Sequence, residues 1–374
     1  MKKQHSLLFS STLTYFIILI LFVTVRIIVQ LFEFPIPLEV LDVIATSIVQ
    51  IGVLFLLSVI MFSSLRKQKI KKTLTDFGFT KIRLFPIIVS ILIGVLCYFL
   101  NISIASFFGS IIRLCGYETA PALATSSTTD YSLTSFFITV VTVAILPAIC
   151  EETAHRGLLL KGFSTLGIKK SIILSSILFG LMHLNINQFF YATVLGFIIA
   201  LTAIISKNIF PAIIIHFMNN FLSVYFEYAT ANNWFGTNIY KFFTSVLYSE
   251  NFIQFFITNC LVLLFLIVFI VFLFTILLKE TRIKNVQKTL IDVAKINQEY
   301  NSGSSVYQKD ANMVNLYQLN QLMGQYNIKS LNSMVFTDLE IRTQKPTPIE
   351  KIALISCFVV GILVTAFTFI WGII

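Results

Sequence analysis

Residues 133–162 read LTSFFITVVTVAILPAICEETAHRGLLLKG, a stretch of membrane-crossing length that carries Glu151, Glu152, His155 and Arg156 in its interior. About 20 mostly apolar residues are enough to cross a bilayer as a helix. Each ionisable group held at that depth costs roughly 2.5 to 3.5 kcal/mol on insertion scales, so such groups persist because they pair, bind or react. Two further apolar stretches repeat the anomaly: 171–187 contains His183, and 209–227 contains His216 and Asn220. Glu151, Glu152, Arg156, His183, His216 and Asn220 therefore read as one buried polar site.

The rest of the chain supplies the setting. It is 57% hydrophobic and 12% charged over 374 residues, with 38 Phe, which excludes an ordinary soluble domain. The expected fold is an all-α polytopic membrane protein of about nine membrane helices. They are expected near 7–31, 41–62, 85–109, 133–162, 171–187, 189–206, 209–227, 252–278 and 352–374. Five regions follow: N-terminal membrane helices at 1–130, the motif-bearing core at 131–230, an outer loop and membrane helix at 231–278, a polar insert at 279–350, and a C-terminal membrane helix at 351–374. The insert is rich in Asn, Gln, Ser and Lys. Its Met313, Leu316, Leu319, Leu322 and Met323 have helical spacing, read as a marginal amphipathic helix in a largely flexible linker.

Lys and Arg crowd alternate loops, at Lys2 and Lys3, Arg66 to Arg83, Lys161 to Lys170, Lys207 and Lys279 to Lys351, whereas 32–40 carries Glu33 and Glu39. By the positive-inside rule the N-terminus lies in the cytoplasm, and nine crossings would put the C-terminus outside. The first stretch is too long for a signal-peptide core and reads as an uncleaved helix. The net charge of +10 sits in juxtamembrane loops, where it suits anionic lipid headgroups and implies no nucleic-acid partner. Cys97, Cys115, Cys150, Cys260 and Cys357 are scattered, without the spacing of a disulfide framework or a thiolate metal site. The sequon at Asn101 to Ser103 falls in or beside an apolar segment and reads as chance.

Helical periodicity puts Glu152 and Arg156 at i and i+4, acid first, as an ion pair prefers. Glu151 points about 100° away around the helix, with only His155 four residues on, and is the carboxylate left for chemistry. Gly162, Gly167, Lys169 and Lys170 mark a turn centred near residue 166. Glu151 before it and His183 after it then lie at similar depth in an antiparallel hairpin. His216 follows the loop at Lys207 and Asn208, and Asn220 is one turn further along the same face. A carboxylate, two imidazoles and a carboxamide can activate a water, hold a metal such as Zn²⁺ through Glu151, His183 and His216, or only join helices by hydrogen bonds. Modest interhelical bonds do not offset several buried charges, which favours a reactive or ligand-binding site.

Taken in order, these residues resemble the three motifs of the CPBP family, the CAAX prenyl proteases and bacteriocin-processing enzymes also called Abi. Glu-Glu-x-x-x-Arg is Glu151, Glu152 and Arg156; Phe-x-x-x-His is Phe179 and His183; His-x-x-x-Asn is His216 and Asn220. The resemblance covers about 133–225. It implies a multi-helix membrane fold with a cavity open to the cytoplasm and a glutamate-dependent intramembrane endopeptidase acting on a membrane-associated peptide or protein. Such a protein is expected in a bacterial cell membrane. Glu151 would be the base, aided by His183, with His216 and Asn220 stabilising the oxyanion and Glu152 and Arg156 shaping the site. His155 departs from the family pattern and reads as a lipid-facing or helix-packing histidine bonded to a neighbour, with an added ligand or proton relay as the alternative. The competing reading is a non-catalytic Abi-type scaffold or bacteriocin immunity protein. A transporter would call for an inverted repeat, which the sequence lacks.

Overall fold

The computed structural model describes residues 5–114, 116, 130–247, 252–300 and 345–371, with backbone alone at 114, 252, 282–300 and 371. Every regular element among them is a helix. This is what a bilayer requires of a spanning chain without a closed barrel, since each backbone N–H and C=O is satisfied within its own segment. In chain order the helices are α1 (Leu7–Leu31), α2 (Leu38–Arg66), a short α3 (Ile70–Asp76), α4 (Leu84–Leu114), α5 (Leu133–Leu166), α6 (Ile168–Met182), α7 (Ile186–Ser206), α8 (Phe210–Asn232), α9 (Thr237–Leu247), α10 (Phe252–Tyr300) and α11 (Pro348–Trp371). Side chains start several of them: Ser6 accepts from Phe9 N at α1, Ser132 from Ser135 N at α5, and Asn185 from Asn187 N at α7. Lys67, Lys207 and Asn233, in left-handed conformations, end α2, α7 and α8.

Among the described residues seven helices are long and apolar enough to cross a membrane, where the sequence led us to expect nine. The two that fall short have different reasons. Helix α6 has 15 residues, about 22 Å of rise against about 30 Å of hydrocarbon. It ends at His183, and the chain reverses through Leu184 in a left-handed conformation before Asn185 caps α7. Helix α8 has 23 residues and is long enough, but His216, Asn219, Asn220, Glu227 and Asn232 make it too polar. The two shortfalls are the helices that carry His183, His216 and Asn220. Helix α10 also differs from expectation, running unbroken to Tyr300 past the boundary placed at 278. The stretch 313–323 and Cys115 lie outside the described residues.

Two helices contain π segments: Ile48–Leu56 in α2, and Val140–Ile145 and Thr153–Leu159 in α5. Two apolar clusters form the interior. One joins α1, α2, α5 and α6 through Tyr15, Phe62, Leu158, Phe163 and Leu178; the other joins α4, α7, α8 and α10 through Ile93, Ile199, Ile215 and Leu266, and takes in Phe179 of α6. Helix α6 thus lies on the seam between them. On the outside, α10 exposes Leu261, Leu264 and Phe265, which suits a lipid-facing surface.

Candidate active site

Arg156 is the first fixed point. Its guanidinium donates from Nη1 to Glu152 Oε1 at 2.9 Å, the i,i+4 pair expected, and from Nη2 to the Gly196 carbonyl of α7 at 2.9 Å. Its Cζ lies over the Phe179 ring, 4.5 Å from the centroid. Gly196 permits this approach, because a Cβ there would stand 3.2 Å from both Phe179 Cδ1 and Ser176 Cα. The pair is fully enclosed, with Glu152 at 0% and Arg156 at 4% exposure. Two opposite charges so placed, with hydrogen bonds between them, are tolerated where a lone one would not be.

Glu152 Oε1 also accepts from His216 Nδ1 at 2.8 Å, which turns His216 Nε2 toward Glu151 Oε2 at 4.0 Å. That distance is too long for a direct hydrogen bond and short enough for one water to span. The other oxygen of Glu151, Oε1, accepts from Gln50 Nε2 at 2.9 Å. Glu151 keeps a trace of exposure at 9%, unlike Glu152.

All three site histidines are oriented through Nδ1. His183 donates to the Phe179 carbonyl at 2.9 Å and His155 to the Glu151 carbonyl at 2.8 Å, each within its own helix, while His216 uses Glu152. The Nε2 atoms are thereby presented outward from the helix backbone. His183 lies within electrostatic reach of both Glu151 and His216. Phe179 is the common neighbour, with ring centroids 5.0, 5.2 and 5.6 Å from His155, His183 and His216, each edge to face. It is a hub, where the sequence suggested only packing. His155 is fully buried rather than lipid-facing, and its Nε2 meets Tyr15 Oη at 3.0 Å.

Asn220 is occupied in a way its motif did not announce. Its Nδ2 donates to the Val143 carbonyl at 3.0 Å, and its Oδ1 accepts from Asn219 Nδ2 at 2.9 Å. Asn219 Oδ1 in turn accepts from Asn101 Nδ2 at 2.7 Å. A ladder of three carboxamides therefore runs from α4 through α8 to α5. Its end lies where the backbone ladder is irregular: Val143 is in the π segment Val140–Ile145, just before Pro147, which has no N–H to give to the helix. Asn101, the nominal sequon, is buried here.

Sequence reasoning missed Gln50, Tyr15, Gly196, Asn101 and Asn219. Gln50 and Asn101 did leave a signal, as polar side chains within apolar stretches; Tyr15 and Gly196 left none. A zinc ion held by Glu151, His183 and His216, one of the three readings open from sequence, does not fit this geometry. Among the described residues no three His, Cys, Asp or Glu side chains are disposed to hold a metal ion. Two ligands each 2.0 to 2.2 Å from a tetrahedral zinc would lie about 3.4 Å apart, less than the separation between His216 and Glu151, and His216 Nδ1 is committed to Glu152. No step below passes through a metal.

Residues 133–222 match the family model for Rce1-like type II CAAX prenyl endopeptidases. No curated protein and no solved structure matches the chain. The matched stretch begins at the first residue of α5 and contains Glu151, Glu152, Arg156, Phe179, His183, His216 and Asn220, so over these 90 residues this helical membrane protein is similar to the CAAX prenyl endopeptidases.

Proposed function

We propose that this protein hydrolyses a peptide bond in a membrane-associated peptide or protein, with Glu151 as the base that activates water. The observation that carries the reading is the asymmetry of two adjacent carboxylates. Glu152 is neutralised by Arg156 and committed to His216, whereas Glu151 is held by Gln50 through one oxygen and directs the other at His216 Nε2. Two like groups in unlike surroundings are the usual basis for dividing chemical labour.

In this mechanism a water beside Glu151 Oε2 gives up its proton as its oxygen attacks the carbonyl carbon of the substrate. His183 aids Glu151 through Nε2. His216, held by Glu152 through Nδ1, turns Nε2 toward Glu151. Its Nε2–H, with the second N–H of Asn220, would stabilise the oxyanion of the tetrahedral intermediate. The carbon–nitrogen bond then breaks, and the proton held by Glu151 passes to the leaving amine. Gln50 is a positioning residue that sets the carboxylate plane.

The depth of the site supports a lipid-anchored or membrane-inserted substrate. Glu151 and His183 each lie about 22 Å by helical rise from the Leu166–Gly167 turn. With the turn on the cytoplasmic side, as loop charge suggests, water and substrate would enter from the cytoplasm or the inner leaflet. The test is a peptide-release assay on purified protein, comparing a prenylated peptide with its unlipidated counterpart, with and without chelator. We expect release from the lipidated peptide in both conditions; no release of either peptide would remove the reading.

A further inference from the structure

Helix α11 lies outside the matched residues 133–222, yet it touches the site's scaffold at four places. Near its start Glu350 bonds Ser6, the cap of α1, and Cys357 Sγ lies 3.6 Å from the Thr12 carbonyl. Further along, Gly361 meets α6 so closely that a Cβ would come 2.9 Å from Leu181 Cβ. Two turns later Thr368 Oγ1 is 3.0 Å from the Leu184 carbonyl. Positions 357, 361, 365 and 368 fall on one helical face. Cys357 and Thr365 on it are buried.

Leu184 is the left-handed residue of the turn that ends α6, and the residue before it is His183. Its carbonyl is the kind of group a helix end leaves without an intrahelical donor. Such a group at bilayer depth must find a partner in the protein. Thr368 supplies one. The hydroxyl also lies 2.8 Å from the Thr365 carbonyl of its own helix, so its single proton is shared between the two. Thr365 O already belongs to the α11 ladder; Leu184 O lies in a turn.

On the basis of the function proposed above, we infer that Thr368 is a positioning residue for the reaction: it holds the turn from which His183 enters the site, and the C-terminal helix is thus a working part of the catalytic apparatus. Val at this position keeps the shape and removes the donor, whereas Ser keeps the donor. The close approach at Gly361 provides a second route, because a side chain there separates α11 from α6 while leaving Thr368 in place.

The experiment compares full-length wild type, Thr368→Val, Thr368→Ser and Gly361→Val in detergent by two readouts. Hydrogen exchange over 181–188 reports on the turn itself, whether or not a substrate is known. We expect faster exchange confined to that segment in Thr368→Val and Gly361→Val, with Thr368→Ser at wild-type protection. Cleavage kinetics report on the consequence: kcat about 10-fold lower in the first two, KM within about 2-fold, and kcat restored in Thr368→Ser. Unchanged exchange in Thr368→Val overturns the inference outright. Faster exchange with undiminished kcat overturns its catalytic part, and so does an equal loss in Thr368→Ser. A wild-type protein that cleaves nothing removes the proposed function instead, while hydrogen exchange still decides whether Thr368 holds the turn.

Discussion

Glu151 and Glu152 are neighbours in sequence and opposites in circumstance, and most of the chemistry argued here depends on that difference. Replacing Arg156 with Ala strands Glu152 with only His216 for a partner in a dry interior, a loss of about 3 to 5 kcal/mol by the general cost of breaking a buried pair. Thermal unfolding in detergent measures it, and Arg156→Ala at wild-type stability would mean the pair does not form. Gln50→Leu should leave stability nearly unchanged and lower kcat by about 10- to 100-fold, the range seen when groups that orient a reactive ligand are lost; an undiminished kcat would show that Glu151 does not need it. The residues that met in the structure as expected are those whose spacing along one helix fixes their depth. Arg156 with Glu152 is the case in point. Gln50 comes from a helix whose order in the bundle no local pattern encodes, so it showed in the sequence only as a polar residue in an apolar run.

At the scale of elements, irregular helix is where the site is built. The three π segments hold Gln50, Val143 and Arg156, each a group that enters the site or is bonded to one that does. Inserted turns of this kind redirect side chains and release carbonyls, and they occur often at functional sites. None was legible beforehand, because hydrophobic periodicity reports which face is buried and says nothing of a change from i−4 to i−5 bonding. Pro147 was legible as a kink; what fills the bond it leaves was not. A double-mutant cycle examines that filling. Asn220→Ala should cost about 1 to 3 kcal/mol through the lost bond to the Val143 carbonyl, and adding Pro147→Ala, which returns an N–H to the ladder beside that carbonyl, should recover part of it. Stability losses that simply add would show that the two positions are not coupled. Because the mechanism also gives Asn220 a donor role, cleavage should stay low in the double mutant even as stability returns.

For the molecule as a whole, composition was sufficient to fix an all-helical membrane protein, and seven of the described helices, where nine were expected, have the length and apolarity of a crossing. A run of apolar residues was taken as a span at 171–187, but a polar turn at His183 to Asn185 stops α6 short and brings the chain back through α7. That is a tertiary arrangement, stabilised by α11 and α1 on one side and by α7 on the other, and the sequence of the segment does not contain it. Orientation rests on loop charge and is open to direct check. In a cysteine-free background, Lys69→Cys should react with a membrane-impermeant maleimide in inside-out vesicles and Glu39→Cys in intact cells; the reverse pattern would invert the topology and the route proposed for water. The central claim is narrower than any of these, that Glu151 is the base, and it is tested most directly by the rate at which purified Glu151→Gln releases product from a prenylated peptide that the wild type cleaves. We expect no measurable release from Glu151→Gln with thermal stability in detergent unchanged; release at the wild-type rate would show that another group is the base.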